Sequence, residues 1–266
     1  MDLELSGKRA LITGSNRGTG AKIATMLARE GVTVLVHGFE PGSGDRVANE
    51  INAGGATAQA VAGDLCSDEG AAQAARQATA GGPVDILINN YGTADRGHWH
   101  DTDATDWHTA YEKNVLSAVR ITNLLVGGMK ERRWGRIIQL GTIGSTQPAA
   151  RMPHYYAAKG ALATLTVSLA KELAQTGITV NLVSPGLIRT PEVEAYYLAR
   201  GHKKGWGTNW EEIEPSVIAE FGGNLTGKIP TPDEIAGLVA FLASPRARAI
   251  NAVNIRVDGG ASGLVS

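Results

Sequence analysis

Tyr155 and Lys159 stand four residues apart in His154-Tyr155-Tyr156-Ala157-Ala158-Lys159. The following stretch, Gly160-Ala161-Leu162-Ala163-Thr164-Leu165, reads as helix, so both side chains leave one face, one turn apart. An unperturbed phenol titrates near ~10. A neighbouring ammonium favours the phenolate and lowers that value. Such a Tyr can give or take a proton near neutral pH. A lone Tyr-x-x-x-Lys is usually an ordinary helix start with a solvated lysine, so other motifs must decide.

The second place for chemistry is Gly14-Ser15-Asn16-Arg17-Gly18-Thr19-Gly20. It lies between the strand-like Ala10-Leu11-Ile12-Thr13 and a segment in which Ala21, Ile23, Ala24, Leu27 and Ala28 recur at helical spacing. A pyrophosphate can rest on the free N–H groups of such a helix start. No Gly-Lys-Ser/Thr closes the loop, so it is not a P-loop. The next strand, Val32 to Val36, ends at His37-Gly38-Phe39-Glu40. In dinucleotide folds an acid at this end favours a free ribose 2′-hydroxyl. None occurs before Glu40, and Arg17 in the glycine loop could meet a 2′-phosphate. The expectation is NADP(H) over NAD(H), and Glu40 reaching the ribose would reverse it. His37 reads as a strand-end histidine with no ligand role.

Short apolar runs at 58–62, 84–88, 136–140, 179–183 and 253–257 alternate with helical segments. Strands continuous in apolar residues, each followed by a helix, imply an α/β fold. The reading is a single-domain Rossmann-type doubly wound parallel sheet over 1–266, with seven strands and helices on both faces. Thr105 to Lys130 reads as one long helix with Asn114 inside it, where Asn is mildly unfavourable and usually solvated. Gly141-Thr142-Ile143-Gly144-Ser145 is a hydroxyl-bearing loop at a strand's carboxyl end, where α/β sheets bind ligands. Residues 191–230 carry Tyr196, Tyr197, Trp206, Trp210 and Phe221 between scattered glycines. They read as an irregular lid, with a plain pair of surface helices as the alternative. Thr231-Pro232-Asp233-Glu234 is a capping-box helix start.

The chain has 266 residues, 43% of them hydrophobic, with formal net charge −1. That balance argues against an electrostatic nucleic-acid or membrane-surface binder. The single Cys66 excludes an intrachain disulfide and a Cys-based zinc site, and no metal site is expected. Without a signal-like start or an apolar run near ~20 residues, the expectation is a soluble cytoplasmic protein.

Taken together, the motifs resemble the short-chain dehydrogenase/reductase family, in the branch that includes the 3-oxoacyl-[acyl-carrier-protein] reductases. The resemblance runs from Arg9 to Gly260. Thr13 to Gly20 matches the family's Thr-Gly-x-x-x-Gly-x-Gly, and Asn89-Asn90-Tyr91-Gly92 its Asn-Asn-Ala-Gly, with Tyr91 replacing Ala. Asn114, Tyr155 with Lys159, Pro185-Gly186 and Val257 to Gly260 match later motifs. The resemblance implies hydride transfer between a nicotinamide and a carbonyl or secondary alcohol. Tyr155 would be the general acid/base. Lys159 would tune it and hold the nicotinamide ribose, and Asn114 would position a water beside Lys159. Thr142 stands where the family has Ser and would orient the carbonyl, with Ser145 as a nearby alternative. Gly14, Asn16, Arg17, Gly18 and Gly20 would form the pyrophosphate turn. Asp64 and Leu65 would flank adenine, and Asn90 and Gly92 would line the cofactor. Pro185, Gly186, Ile188 and Thr190 would meet the carboxamide end. Family members are usually homotetramers. The aromatic 191–230 segment and Trp99 suggest a bulky apolar carbonyl, a 3-oxoacyl thioester remaining open. The reading from another class is a catalytically silent cofactor-binding scaffold or sensor, which would need no Tyr–Lys pair.

Overall fold

The computed structural model describes residues 1–263. Seven strands form one parallel sheet in the order β3-β2-β1-β4-β5-β6-β7. They are β1 (Arg9–Ile12), β2 (Thr33–Gly38), β3 (Ala58–Ala62), β4 (Ile86–Asn89), β5 (Gly135–Leu140), β6 (Ile178–Pro185) and β7 (Asn254–Val257). The helices are α1 (Gly18–Arg29), α2 (Asp45–Ala53), α3 (Asp68–Thr79), α4 (Ala104–Tyr111), α5 (Ser117–Arg132), α6 (Pro153–Glu172), α7 (Pro191–Lys204), α8 (Trp210–Glu220) and α9 (Pro232–Ala243).

The period-2 pleat divides the strand residues between two cores. Leu11, Leu35 and Leu87, aligned in register, enter the core built with α3 and α5. Ala10, Ile12, Val34, Val36, Ile86 and Ile88 enter the other, with α1 and α9. A one-residue register slip would exchange the two sets, so burial on both faces fixes the register. The strand order reverses between β1 and β4, which opens a crevice at their carboxyl ends.

Two expectations need correction. Thr105 to Lys130 is not one regular helix: a π turn at Glu112–Leu116 separates α4 from α5. The 191–230 segment is largely regular, with α7 and α8 packed on a small core of Tyr197, Trp210, Ile213, Val217 and Ile229. Glycine ends α7 in a left-handed cap at Gly205, and Asn209 caps α8 by accepting from Glu212 N–H.

Candidate active site

The strand β5 delivers the hydroxyl loop, and α6 starts with Pro153 at its N-terminus, carrying Tyr155 and Lys159 toward that loop. The Thr142 hydroxyl accepts from Gly144 N–H at 3.2 Å and is close enough to the Tyr155 phenol to lower its pKa. Ser145 does not compete for this role, because its hydroxyl donates to the Thr142 carbonyl at 2.7 Å. Burial pushes the Tyr155 phenol up to about 12, the neighbouring Tyr156 adds to the rise, and the Thr142 hydroxyl opposes it. The expected lowering by Lys159 is therefore not seen. Lys159 is only 4% exposed, and its ammonium donates to the Leu140 carbonyl at 2.8 Å. Burial pulls Lys159 itself down to about 8.

Asn114 is buried at 1% exposure rather than solvated, and it sits inside the π turn. Such turns recur at functional sites because the extra residue re-aims a side chain. Its Nδ2 donates to the Thr93 and Ala110 carbonyls at 3.1 and 2.9 Å. Its Oδ1 finds no partner among the described residues. A Cβ added to Gly92 would fall 2.4 Å from that Oδ1 and 2.8 Å from Lys159 Nζ. Gly92 thus keeps open the space in which an acceptor and a cation converge, and a buried orphan acceptor calls for a ligand or a water there.

The glycine turn is tied down from both sides. Gly14 and Gly18 hold positive φ of 61° and 56°. Any Cβ on Gly20 would meet Asn90 Nδ2 at 2.5 Å and the Gly14 carbonyl at 2.7 Å. Asn90 donates from that nitrogen to the Thr13 and Gly14 carbonyls. Helix α1 has no side-chain cap and no acid in its first turn, so its leading N–H groups remain available to an anion. At the end of β2, a Cβ on Gly38 would strike Ser43 Oγ at 2.0 Å, so Ser43 would have to turn away before a side chain could stand there. Arg17 is exposed at the head of α1, and Arg46 reaches the Asn16 carbonyl at 3.2 Å.

Elsewhere, Asp64 accepts from Cys66 N–H after β3, while the Leu65 side chain is buried in the core and offers a ligand only its backbone. Pro185 ends β6, Gly186 N–H donates to Val257 at 3.0 Å, and Ile188 packs on the core. Thr190 caps α7 by accepting from Val193 N–H. These groups lie just beyond the carboxyl ends of β3 and β6.

A family profile described as "Enoyl-(Acyl carrier protein) reductase", of the short-chain dehydrogenase/reductase class, matches residues 14–262. The chain belongs to the short-chain dehydrogenase/reductase family. It is 35% identical to the D-beta-hydroxybutyrate dehydrogenase of Cupriavidus necator, across 96% of this chain and 98% of that one. It is 31% identical to the 3-oxoacyl-[acyl-carrier-protein] reductase of Vibrio cholerae, over 97% and 98% of the two chains. The crystal structure of L-sorbose reductase from Gluconobacter frateurii, complexed with NADPH and L-sorbose, superposes with a TM-score of 0.91. Its identity is 31%, and both chains are covered completely. This short-chain dehydrogenase/reductase is an NAD(P)-dependent oxidoreductase. No helix among the described residues is long and apolar enough to cross a membrane. None of those residues form a group of three or more His, Cys, Asp or Glu able to hold a metal ion.

His37 is a site residue that the sequence reading missed. It is fully buried, its Nδ1 accepts from Gly14 N–H at 3.1 Å, and Nε2 lies 2.9 Å from the Gly63 carbonyl. That pattern requires the neutral tautomer with hydrogen on Nε2, and burial lowers its pKa to match. Its backbone N–H also donates to Ser15 Oγ. His37 is thus a positioning residue for the glycine turn. The only hint in the sequence was a polar residue closing an apolar strand. His37→Leu is expected to raise the cofactor KM about ten-fold with kcat within about two-fold. The stranded Gly14 N–H would account for about 1–3 kcal/mol. Steady-state kinetics against cofactor concentration check this, and an unchanged KM would contradict it.

Proposed function

We propose that this enzyme is an NADP(H)-preferring reductase, working reversibly on a ketone or secondary alcohol. The observation that carries the chemistry is the convergence of the orphan Asn114 Oδ1 and the Lys159 ammonium on the space kept open by Gly92, Lys159 sharing its helix with Tyr155. The dinucleotide supplies or accepts the hydride. Thr142 holds the substrate oxygen by its hydroxyl, and Tyr155 gives that oxygen a proton in reduction or takes it back in oxidation. Lys159 keeps a positive charge beside the ribose and the phenol. The Asn114 Oδ1 holds a water that returns the proton from solvent.

Preference for NADP(H) is supported by the absence of an acid at His37, Gly38 and Phe39 and by the exposed Arg17 and Arg46 cations. The L-sorbose reductase is described with NADPH. With saturating ketone, kcat/KM for NADPH is expected to exceed that for NADH about ten-fold or more, and Arg17→Ala to erode the difference. Equal rates with NADH in the wild type would refute the preference.

We place α7 and α8 over the substrate mouth as its lid. Their aromatic content is weaker support for an apolar substrate than the sequence suggested. Trp210 stacks under Arg189 at 4.6 Å and Trp206 under Lys204 at 4.5 Å, so both serve the lid itself. Tyr156, 5.4 Å from Tyr155 by ring centroid, is the aromatic wall nearest the chemistry. It favours a bulky carbonyl. The 3-oxoacyl thioester reading keeps support from the similar Vibrio reductase. A panel of aryl ketones, ketoses and a 3-oxoacyl thioester, followed at the reduced nicotinamide band, separates these. No turnover across the panel despite cofactor binding would favour the silent scaffold. A homotetramer is supported by Tyr111, Leu124 and Val167, apolar side chains exposed on α4, α5 and α6. The free Cys66 thiol suits the reducing cytoplasm.

A further inference from the structure

We infer that Tyr91 fills the adenosine side of the dinucleotide crevice and thereby sets how tightly the adenine-bearing half of the cofactor binds. This rests on the oxidoreductase reading above. Tyr91 leaves the tip of β4, yet its side chain does not stay there. A Cβ on Gly14 would lie 3.2 Å from Tyr91 Cα and Cβ and 3.4 Å from the ring, so Tyr91 covers the turn after β1. Its ring centroid lies 4.4 Å from that of Phe39, beyond the tip of β2. Its hydroxyl stands 3.9 Å from Cys66 Sγ, past the tip of β3. One side chain from β4 thus reaches across the tips of β1, β2 and β3. In an open parallel sheet the pyrophosphate sits at the first turn and the adenosine ribose at the tip of β2. The adenine therefore belongs where Tyr91, Phe39 and Cys66 converge.

The width of that space decides the sign of the effect. A flat base between two rings needs about 3.5 Å on each face, so about 7 Å from ring to ring. Phe39 and Tyr91 are already in contact, tilted at 51°. Phe39 is backed by the His37 ring, edge-on at 5.7 Å, and His37 is fastened to Gly14 and Gly63. Tyr91 is held more lightly. The hydroxyl's partner is a thiol, a weak hydrogen-bonding group. Tyr91 is therefore the wall that moves. Entry of the adenine breaks the Phe39–Tyr91 contact, and the ring competes with the base for one slot.

The test uses the full chain and two halves of the cofactor. ADP-ribose carries the adenine without nicotinamide, and reduced nicotinamide mononucleotide carries nicotinamide without adenine. By calorimetry, Tyr91→Ala is expected to tighten ADP-ribose and NADPH about three- to ten-fold, the scale of one aromatic pair. Reduced nicotinamide mononucleotide should bind as in the wild type. Tyr91→Phe keeps the ring and should stay within about two-fold throughout. Weaker or unchanged ADP-ribose binding in Tyr91→Ala overturns the inference, as does an equal shift for both halves. If Tyr91→Ala fails to fold by circular dichroism, Phe39→Ala opens the slot from the other wall and must give the same asymmetry; its absence is equally fatal. A wild-type chain that binds neither NADPH nor NADH sinks the oxidoreductase reading itself. An active reductase whose adenine affinity ignores Tyr91 sinks this inference alone.

Discussion

Tyr155→Phe lowers kcat for ketone reduction by about 10³–10⁴-fold, the upper part of the range for a positioned general acid, and leaves NADPH binding within about three-fold. The phenol lies close enough to Thr142 for that hydroxyl to lower its pKa, so it is the acid proposed to meet an oxygen held there. Its pKa bears on direction. With burial holding it up to about 12, Tyr155 is protonated through the neutral range. Reduction needs that proton, so its kcat/KM should be flat below pH 8. Oxidation needs the phenolate, so its kcat/KM should climb with pH. A pH series in both directions measures this. A Tyr155→Phe protein with near-wild-type turnover, or an oxidation rate that falls as pH rises, would remove Tyr155 from the proton-transfer role.

The parts of this site that could be read from the sequence are those set by local rules. Gly14, Gly18 and Gly20 follow a strand and open a helix, and their spacing reflects backbone demands confined to a few residues. Tyr155 and Lys159 share a face because a helix has a fixed period. The seven strands were visible because both faces of the sheet are buried. What escaped depends on distant partners. The role of His37 exists only because β1 and β3 flank β2, bringing Gly14 and Gly63 to its two ring nitrogens. The π turn around Asn114 comes with packing against α6 and the Thr93 carbonyl, neither of which marks residues 104–132 as irregular. The aromatics of 191–230 could be counted but not assigned, because only packing shows Trp210 turning inward. The shift of Tyr155 went opposite to expectation for the same reason. Burial is a property of the whole fold, and here it raises the phenol's pKa more than the Thr142 hydroxyl lowers it.

Lys159→Met is expected to cost at least about 10²-fold in turnover and yet to make the ligand-free protein more stable. Lys159 falls from 10.5 to about 8 on burial. The unfolded chain therefore holds this proton more tightly than the folded one. At about 1.36 kcal/mol per pKa unit, keeping the ammonium charged in the core at pH 7 costs roughly 3 kcal/mol. Removing it leaves the Leu140 carbonyl without its donor, which returns about 1–3 kcal/mol of that. The net gain of about 1 kcal/mol should raise Tm by about 2–4 °C. The sign of the pH dependence makes the test specific. Between pH 8 and 10.5 the unfolded state binds the extra proton, so wild-type stability from this group rises with pH. The Met variant lacks that slope. Its advantage should be largest below pH 8, vanish near pH 9 and reverse by about pH 10.5, where only the lost hydrogen bond to Leu140 remains. Thermal melts of both proteins from pH 6 to 10.5 read this directly. A variant less stable at pH 7, or a difference independent of pH, would mean that the Lys159 charge is not a burden on the fold. The expected result instead makes Lys159 a residue kept against the stability of the fold, its buried charge serving the function proposed for the space beside Gly92.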